Sequence, residues 1–146
     1  MEHAARTRRD EKPTVPNRLR TSIGTCLDGH ASVGLGILYG SVRRGTAGPE
    51  SDVDLAVMGH HTLLAADKLA ILEELAVLVG RPIDLVDLHA ASGVLLGEVL
   101  RTGTRIYEAD AGLYPELLRR YLFDAADFRP YRDRILAERR HAWIGA

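Results

Sequence analysis

Two short apolar segments, VGLGILYG (33–40) and VDLAVM (53–58), stand on either side of the polar stretch SVRRGTAGPESD (41–52). Each segment is too short for a helix, and glycines and other turn residues bound them, so both read as buried strands. The chain must therefore leave one strand, make a glycine-bearing turn, and enter the next with Asp52 and Asp54 one residue apart. Side chains alternate across a strand, so these two carboxylates project from the same face. Two acids so placed repel each other, and a shared cation is the usual relief. Hard oxygen ligands favour Mg²⁺. Gly40 at the end of the first segment, with Gly45 and Gly48 in the intervening stretch, lets backbone amides approach phosphate oxygens closely, Ser41 adds a hydroxyl, and Arg43 and Arg44 add guanidinium groups suited to phosphate. Gly40, Ser41, Arg44, Gly45 and Ser51 are the residues expected to hold the phosphate groups of a ligand.

Metal-assisted phosphoryl transfer with two ions needs one further ligand. The segment IDLVDL (83–88) offers Asp84 and Asp87, which face opposite sides of a regular strand, so only one can join the site. Asp84 lies within the apolar run, where an unpaired acid is costly, and is the one expected there. GLGILYG is not a dinucleotide fingerprint, because its third glycine falls one residue late, and no Gly-Lys-Ser/Thr follows to make a P-loop.

The rest of the chain reads as elements around this pair of strands. NRLRTSIGTCLDGH (17–30) is a helix with Leu19, Ile23 and Leu27 on one face and Asn17 as its N-cap. HHTLLAADKLAILEELAVLVG (60–80) is a second, with Ala65, Leu69, Leu72, Ala76 and Val79 as the buried stripe, Gly80 as its stop, and Pro82 barring its continuation. IDLVDL is a third strand, ASGVLLGEVLRTG (91–103) a short helix and TRIYEA (104–109) a fourth strand. The tail is two helices joined near DAADFRP, and it holds three of the five tyrosines, both phenylalanines and the only tryptophan. That enrichment suits closure of the core or a partner surface. The order implies an α+β (α/β mixed) fold, a small mixed β-sheet flanked by helices with a C-terminal helical pair. The expected organisation is a disordered basic leader over 1–16, one domain over 17–110, and helices over 111–146 packed on that domain.

Composition narrows the function. With 146 residues, 46% hydrophobic and 27% charged, the chain is that of one ordinary globular domain. No apolar run approaches the roughly 20 residues of a membrane span, and the leader lacks the apolar core of a secretory signal, so a cytoplasmic protein is expected. Residues 21–112 carry six basic and twelve acidic side chains, which argues against a nucleic-acid surface. Cys26 is the only cysteine, so it forms no internal disulfide and has no second thiol for a zinc site; packing is its expected role. His60 and His61 read as loop or cap residues, His89 follows the third strand, and Tyr39 precedes Gly40 in the core or at the border of the nucleotide.

GSVRRGTAGPESDVDLAV resembles the nucleotidyltransferase signature of the DNA polymerase beta superfamily: Gly-Ser, ten residues, then Asp-x-Asp. The compact length and IDLVDL resemble its minimal nucleotidyltransferases, and RRYLFDAADFRPYRDRIL is similar to the C-terminal helices of the MntA-type antitoxins of HEPN/MNT toxin–antitoxin systems. The resemblance spans roughly residues 19 to 140. It implies a polymerase beta-like fold with ATP and two Mg²⁺ ions at the sheet edge. Gly40 and Ser41 would hold the triphosphate, Asp52 and Asp54 would ligate both metals, and Asp84 would add a ligand and activate the attacking hydroxyl. It further implies transfer of AMP to a tyrosine of a partner HEPN ribonuclease, a hetero-oligomer with that toxin, and its silencing. Where the family commonly has a small residue before the arginine of the signature, this chain has Arg43. A small-molecule nucleotidyltransferase of the aminoglycoside type and a non-catalytic antitoxin acting by binding are the competing expectations; the first generally carries an added substrate domain, and all three signature acids are present against the second.

Overall fold

The structure, a computed structural model, describes residues 15–40 and 52–124. Helix α1 (Asn17–Asp28) leads into strand β1 (Leu35–Tyr39); strand β2 (Val53–Met58), helix α2 (Ala65–Val79), strand β3 (Ile83–Asp87), helix α3 (Gly93–Thr102) and strand β4 (Thr104–Glu108) follow. A further helical stretch covers residues 113–124. The second tail helix expected from the sequence lies outside the described residues, as does most of the leader.

The four strands form one mixed sheet in the order β3-β2-β1-β4. The pairs β1/β2 and β1/β4 are antiparallel, and β2/β3 is parallel. A parallel pair needs a crossover rather than a tight turn, and α2 supplies it. Alternation along the strands sends two apolar sets to opposite faces. Leu38, Val53, Leu55, Val57 and Leu85 pack with Ile23, Cys26 and Leu27 of α1 and with Ile71 and Leu75 of α2. Leu35, Ile37, Tyr39, Ala56 and Met58 pack with Leu96 and Val99 of α3 and with Leu113 and Leu117 of the 113–124 helix. Helices thus cover both faces, and the α+β layout read from the sequence is the one observed. Arg120 ties the last described helix down by donating to the carbonyls of Leu88 and Ala91.

Local details depart from the sequence reading in three places. Pro16, not Asn17, occupies the N-cap of α1, and no side chain caps it. Helix α2 begins at Ala65 rather than near His60, because the Leu63 N–H is taken by the Asp87 carboxylate (2.8 Å), which holds the preceding residues as a loop. Its buried stripe is Ile71 and Leu75, with Leu72 and Val79 partly covered, whereas Leu69 is 57% exposed and Ala65 and Ala76 face outward. The helix is apolar on most of its circumference, so spacings of four and three fit more than one face. Its end matches expectation: Gly80 adopts φ 67° and its N–H returns to the Ala76 carbonyl.

The revised stripe is testable by two truncations. Leu75→Ala leaves a cavity and is expected to cost about 2–5 kcal/mol in denaturant unfolding, while Leu69→Ala should stay within about 0.5 kcal/mol. Equal losses at the two positions would overturn this packing.

Candidate active site

Strand β2 is central in the sheet, with all of its residues buried except Asp54, which is half-buried. Asp54 lies opposite Tyr39 on β1 and beside Asp84 on β3. Laterally paired residues share a face, so Tyr39, Asp54 and Asp84 form a row across three strands. The face is the one that carries Ala56 and Met58 toward α3. The two sequence-predicted acids from different strands therefore come together at the start of the parallel pair. Asp52 stands exposed just before β2 and adds its field to Asp54.

Burial, followed by the charges of Asp84, Asp52 and Glu98, pushes the Asp54 carboxyl above its ordinary range. Burial and the nearby Asp54, Asp84 and Glu98 drive the Tyr39 phenol up to about 12. Among the described residues no ion pair reaches Asp52, Asp54 or Asp84. The site is thus a concentration of negative charge, partly withdrawn from water, that a cation would relieve. An all-oxygen donor set of this kind fits Mg²⁺. Glu98, on α3, was not anticipated from the sequence; its one signal there is that it is the only acid between residues 91 and 103.

Gly40 closes the site from the β1 side. It is buried, has φ 74°, and a Cβ at this position would fall on the Asp54 carboxylate oxygen. Both the backbone sign and the contact demand glycine. Ser41, Arg44, Gly45 and Ser51, the remaining nucleotide-binding expectations, lie outside the described residues.

The other acid of the third strand has a different task. Asp87 is 7% exposed and accepts hydrogen bonds from the Leu63 N–H (2.8 Å) and the His89 N–H (2.9 Å). It anchors the loops at the far end of β3. His89 works at that end too, its Nε2 lying 2.6 Å from the Gly59 carbonyl oxygen. His60 pairs with Asp110 at 2.8 Å on the surface. None of the three lies at the row of acids.

Residues 22–112 match the family model described as polymerase beta, nucleotidyltransferase. The protein adenylyltransferase MntA of Shewanella oneidensis is 36% identical over 70 residues, which are 48% of this chain and 50% of that protein. The chain thus spans about half the length of the curated relative it matches. A crystal structure of a toxin–antitoxin with AMP-PNP superposes with a TM-score of 0.70 at 25% identity, covering 82% of this chain and 96% of that one. A structure of tri-AMPylated Shewanella oneidensis HEPN toxin in complex with MNT antitoxin gives a TM-score of 0.66 at 23% identity over 82% of this chain and 94% of that one, a likeness of fold.

A carboxyl whose folded pKa is raised favours folding while protonated and loses that contribution as pH rises through the raised value. In chelator-treated protein at neutral pH, Asp54→Asn is therefore expected to raise the thermal midpoint by about 2 °C or more, with the gain shrinking as pH falls through the carboxylate range. A lower midpoint for the variant at neutral pH would contradict the crowding described here. Gly40→Ala is expected to lower the midpoint in the same scan, since it adds a strained φ and a clash with Asp54.

Proposed function

The chain belongs to the polymerase beta nucleotidyltransferase family, and from that premise we propose that it is an adenylyltransferase antitoxin, moving AMP from ATP to a tyrosine hydroxyl of a HEPN ribonuclease toxin. The observation that carries this reading is the lateral pairing of Asp54 with Asp84 on one sheet face, with Asp52 and Gly40 beside them. The adenylyltransferase activity of the Shewanella relative and the AMP-PNP of the similar toxin–antitoxin structure support ATP as donor and protein as acceptor. A reaction that draws on ATP and ends on a toxin in the same complex belongs in the cytoplasm.

Asp52, Asp54 and Asp84 would hold two Mg²⁺ ions, which supply charge neutralisation at the triphosphate. Gly40, with Ser41, Arg44, Gly45 and Ser51, binds and orients the triphosphate through backbone amides, hydroxyls and a guanidinium group. Asp84 accepts the proton of the attacking tyrosine hydroxyl. The tyrosine oxygen forms its bond to the α-phosphorus as the bond to the β-phosphate oxygen breaks, and pyrophosphate leaves. Tyr39, buried and held neutral, walls the site on the β1 side without titrating. Catalysis is chiefly positioning and charge neutralisation around the transferring phosphoryl group.

The test uses the protein, labelled ATP, Mg²⁺ and a HEPN toxin as acceptor. Label should appear on the toxin, and Asp52→Ala, Asp54→Ala and Asp84→Asn should each reduce its rate on the order of 10²-fold or more with the fold retained by circular dichroism. Label on a small-molecule acceptor, or tight association with the toxin and no label, would overturn the assignment. So would transfer at near-normal rate in any of the three variants.

A further inference from the structure

On the sheet face opposite the row of acids, α1 and α2 bring together a cysteine, a histidine and a glutamate. Cys26 sits in the last turn of α1 and is fully buried. The chain leaves that helix at Gly29, whose N–H bonds the Cys26 carbonyl, and the His30 N–H bonds the Leu27 carbonyl. This tight exit sets His30 one turn beyond Cys26, on the same side. Glu74 reaches in from α2, and its Oε2 lies 2.8 Å from His30 Nε2. One ligand atom from each of the three residues, the Cys26 Sγ among them, lies within 4.8 Å of the other two.

We propose that Cys26, His30 and Glu74 form a site for a transition-metal ion of the Zn²⁺ class, clamping the end of α1 to α2. A tetrahedral site with metal–ligand bonds of about 2.0–2.3 Å has ligand atoms roughly 3.3–3.7 Å apart. The His30–Glu74 pair stands closer than that spacing and all three donors lie within 4.8 Å of one another, so closing on an ion takes side-chain shifts on the order of 1 Å. The donor types select the metal: sulfur and imidazole suit Zn²⁺ or Co²⁺, whereas Mg²⁺ prefers the all-oxygen set across the sheet. Burial, then the charge of Glu74 and its hydrogen bond, raise the Cys26 thiol to about 11, so a bare thiolate is unfavourable here and a cation would reverse the balance. Binding forms a metal–sulfur bond and releases the thiol proton to solvent; no electrons are exchanged. His30 and Glu74 exchange their mutual contact for the ion. Glu74 is 47% exposed, which leaves the fourth position open to water.

On the sequence alone, a single thiol excludes a zinc site. That exclusion holds for sites built on paired cysteines; mixed sites with one sulfur, one imidazole and one carboxylate need only convergence in space.

The experiment titrates chelator-stripped, full-length protein with Co²⁺, in the absence of Mg²⁺, and follows absorbance. A 1:1 tetrahedral spectrum with a sulfur-to-cobalt charge-transfer band, bleached by Zn²⁺, is expected; Cys26 is the sole thiol of the chain, so the band has one source. Cys26→Ser should abolish the band, His30→Gln and Glu74→Gln should each weaken Co²⁺ binding at least tenfold, and Asp54→Asn should leave it intact. Because Cys26 is buried, Glu74→Gln at an exposed position provides the decisive variant. Zn²⁺ should raise the thermal midpoint of the unaltered protein and not that of Glu74→Gln. Absence of the charge-transfer band in the unaltered protein, its survival in Cys26→Ser, or unchanged affinity in both His30→Gln and Glu74→Gln would overturn the site. Loss of transfer activity in Asp54→Asn with the cobalt band retained separates this site from the phosphoryl-transfer centre.

Discussion

The register of the one parallel pair, β2 with β3, is the constraint on which the rest of the structure depends. It sets Asp54 beside Asp84 and, in the same stroke, Leu55 beside Leu85. A slip of one residue would turn every side chain of β3 to the other face, placing an acid in the packing under α1 and α2 and a leucine among the carboxylates. The burial of Leu55, Val57 and Leu85 on one face therefore stabilises the unfavourable meeting of acids on the other. Charge crowding that costs stability locally is tolerated because the apolar face beneath it cannot be satisfied in any other register.

The same strand divides its acids by position. Asp84 stands second in β3 and shares the face of Asp54; Asp87 closes the strand and accepts from two backbone N–H groups. A buried carboxylate that accepts such bonds fixes the loops around it, and here it stops α2 from starting early and orients the entry to α3. The end of the sheet that bears Asp87 and His89 is held by hydrogen bonds, while the end that bears Asp52, Asp54 and Asp84 is left with charge to be neutralised from outside. One end is structural and the other is the proposed site of reaction, although both are built on aspartates.

Much of this was legible in the sequence because it is written in local chemistry. Two apolar runs of strand length, glycines where a turn must fall, and acids at alternate positions point to the strands and to the face of Asp54, while Asp52, expected on the same strand, falls just before β2. The choice of Asp84 over Asp87 followed from alternation and the cost of burying an unpaired acid, though Asp87 turned out to be the more buried of the two, its cost offset by hydrogen bonds that the sequence does not display. The face of α2 was misread because leucine, valine and alanine surround it, and only the position of the sheet decides which side is covered. Glu98 and the Cys26–His30–Glu74 group were invisible for a different reason. Their members meet across long sequence separations, 44 residues in the case of His30 and Glu74, which no local pattern encodes.

The two clusters stand on opposite faces of one sheet, and α2 connects them. This helix is the crossover that carries the chain from β2 to β3, so its seating against α1 influences how β3 lies beside β2. An ion gripping Cys26 and His30 from α1 and its exit turn, and Glu74 from α2, would hold that helix at the point where the two helices meet. It would therefore restrain the strand that presents Asp84 without touching the reacting atoms. The donor chemistries would keep the two sites from exchanging ions, since sulfur and imidazole on one side and carboxylates on the other rank the available cations in different orders. Such an arrangement would let a second metal act on the placement of β3, and so on Asp84, through the packing of α2 alone.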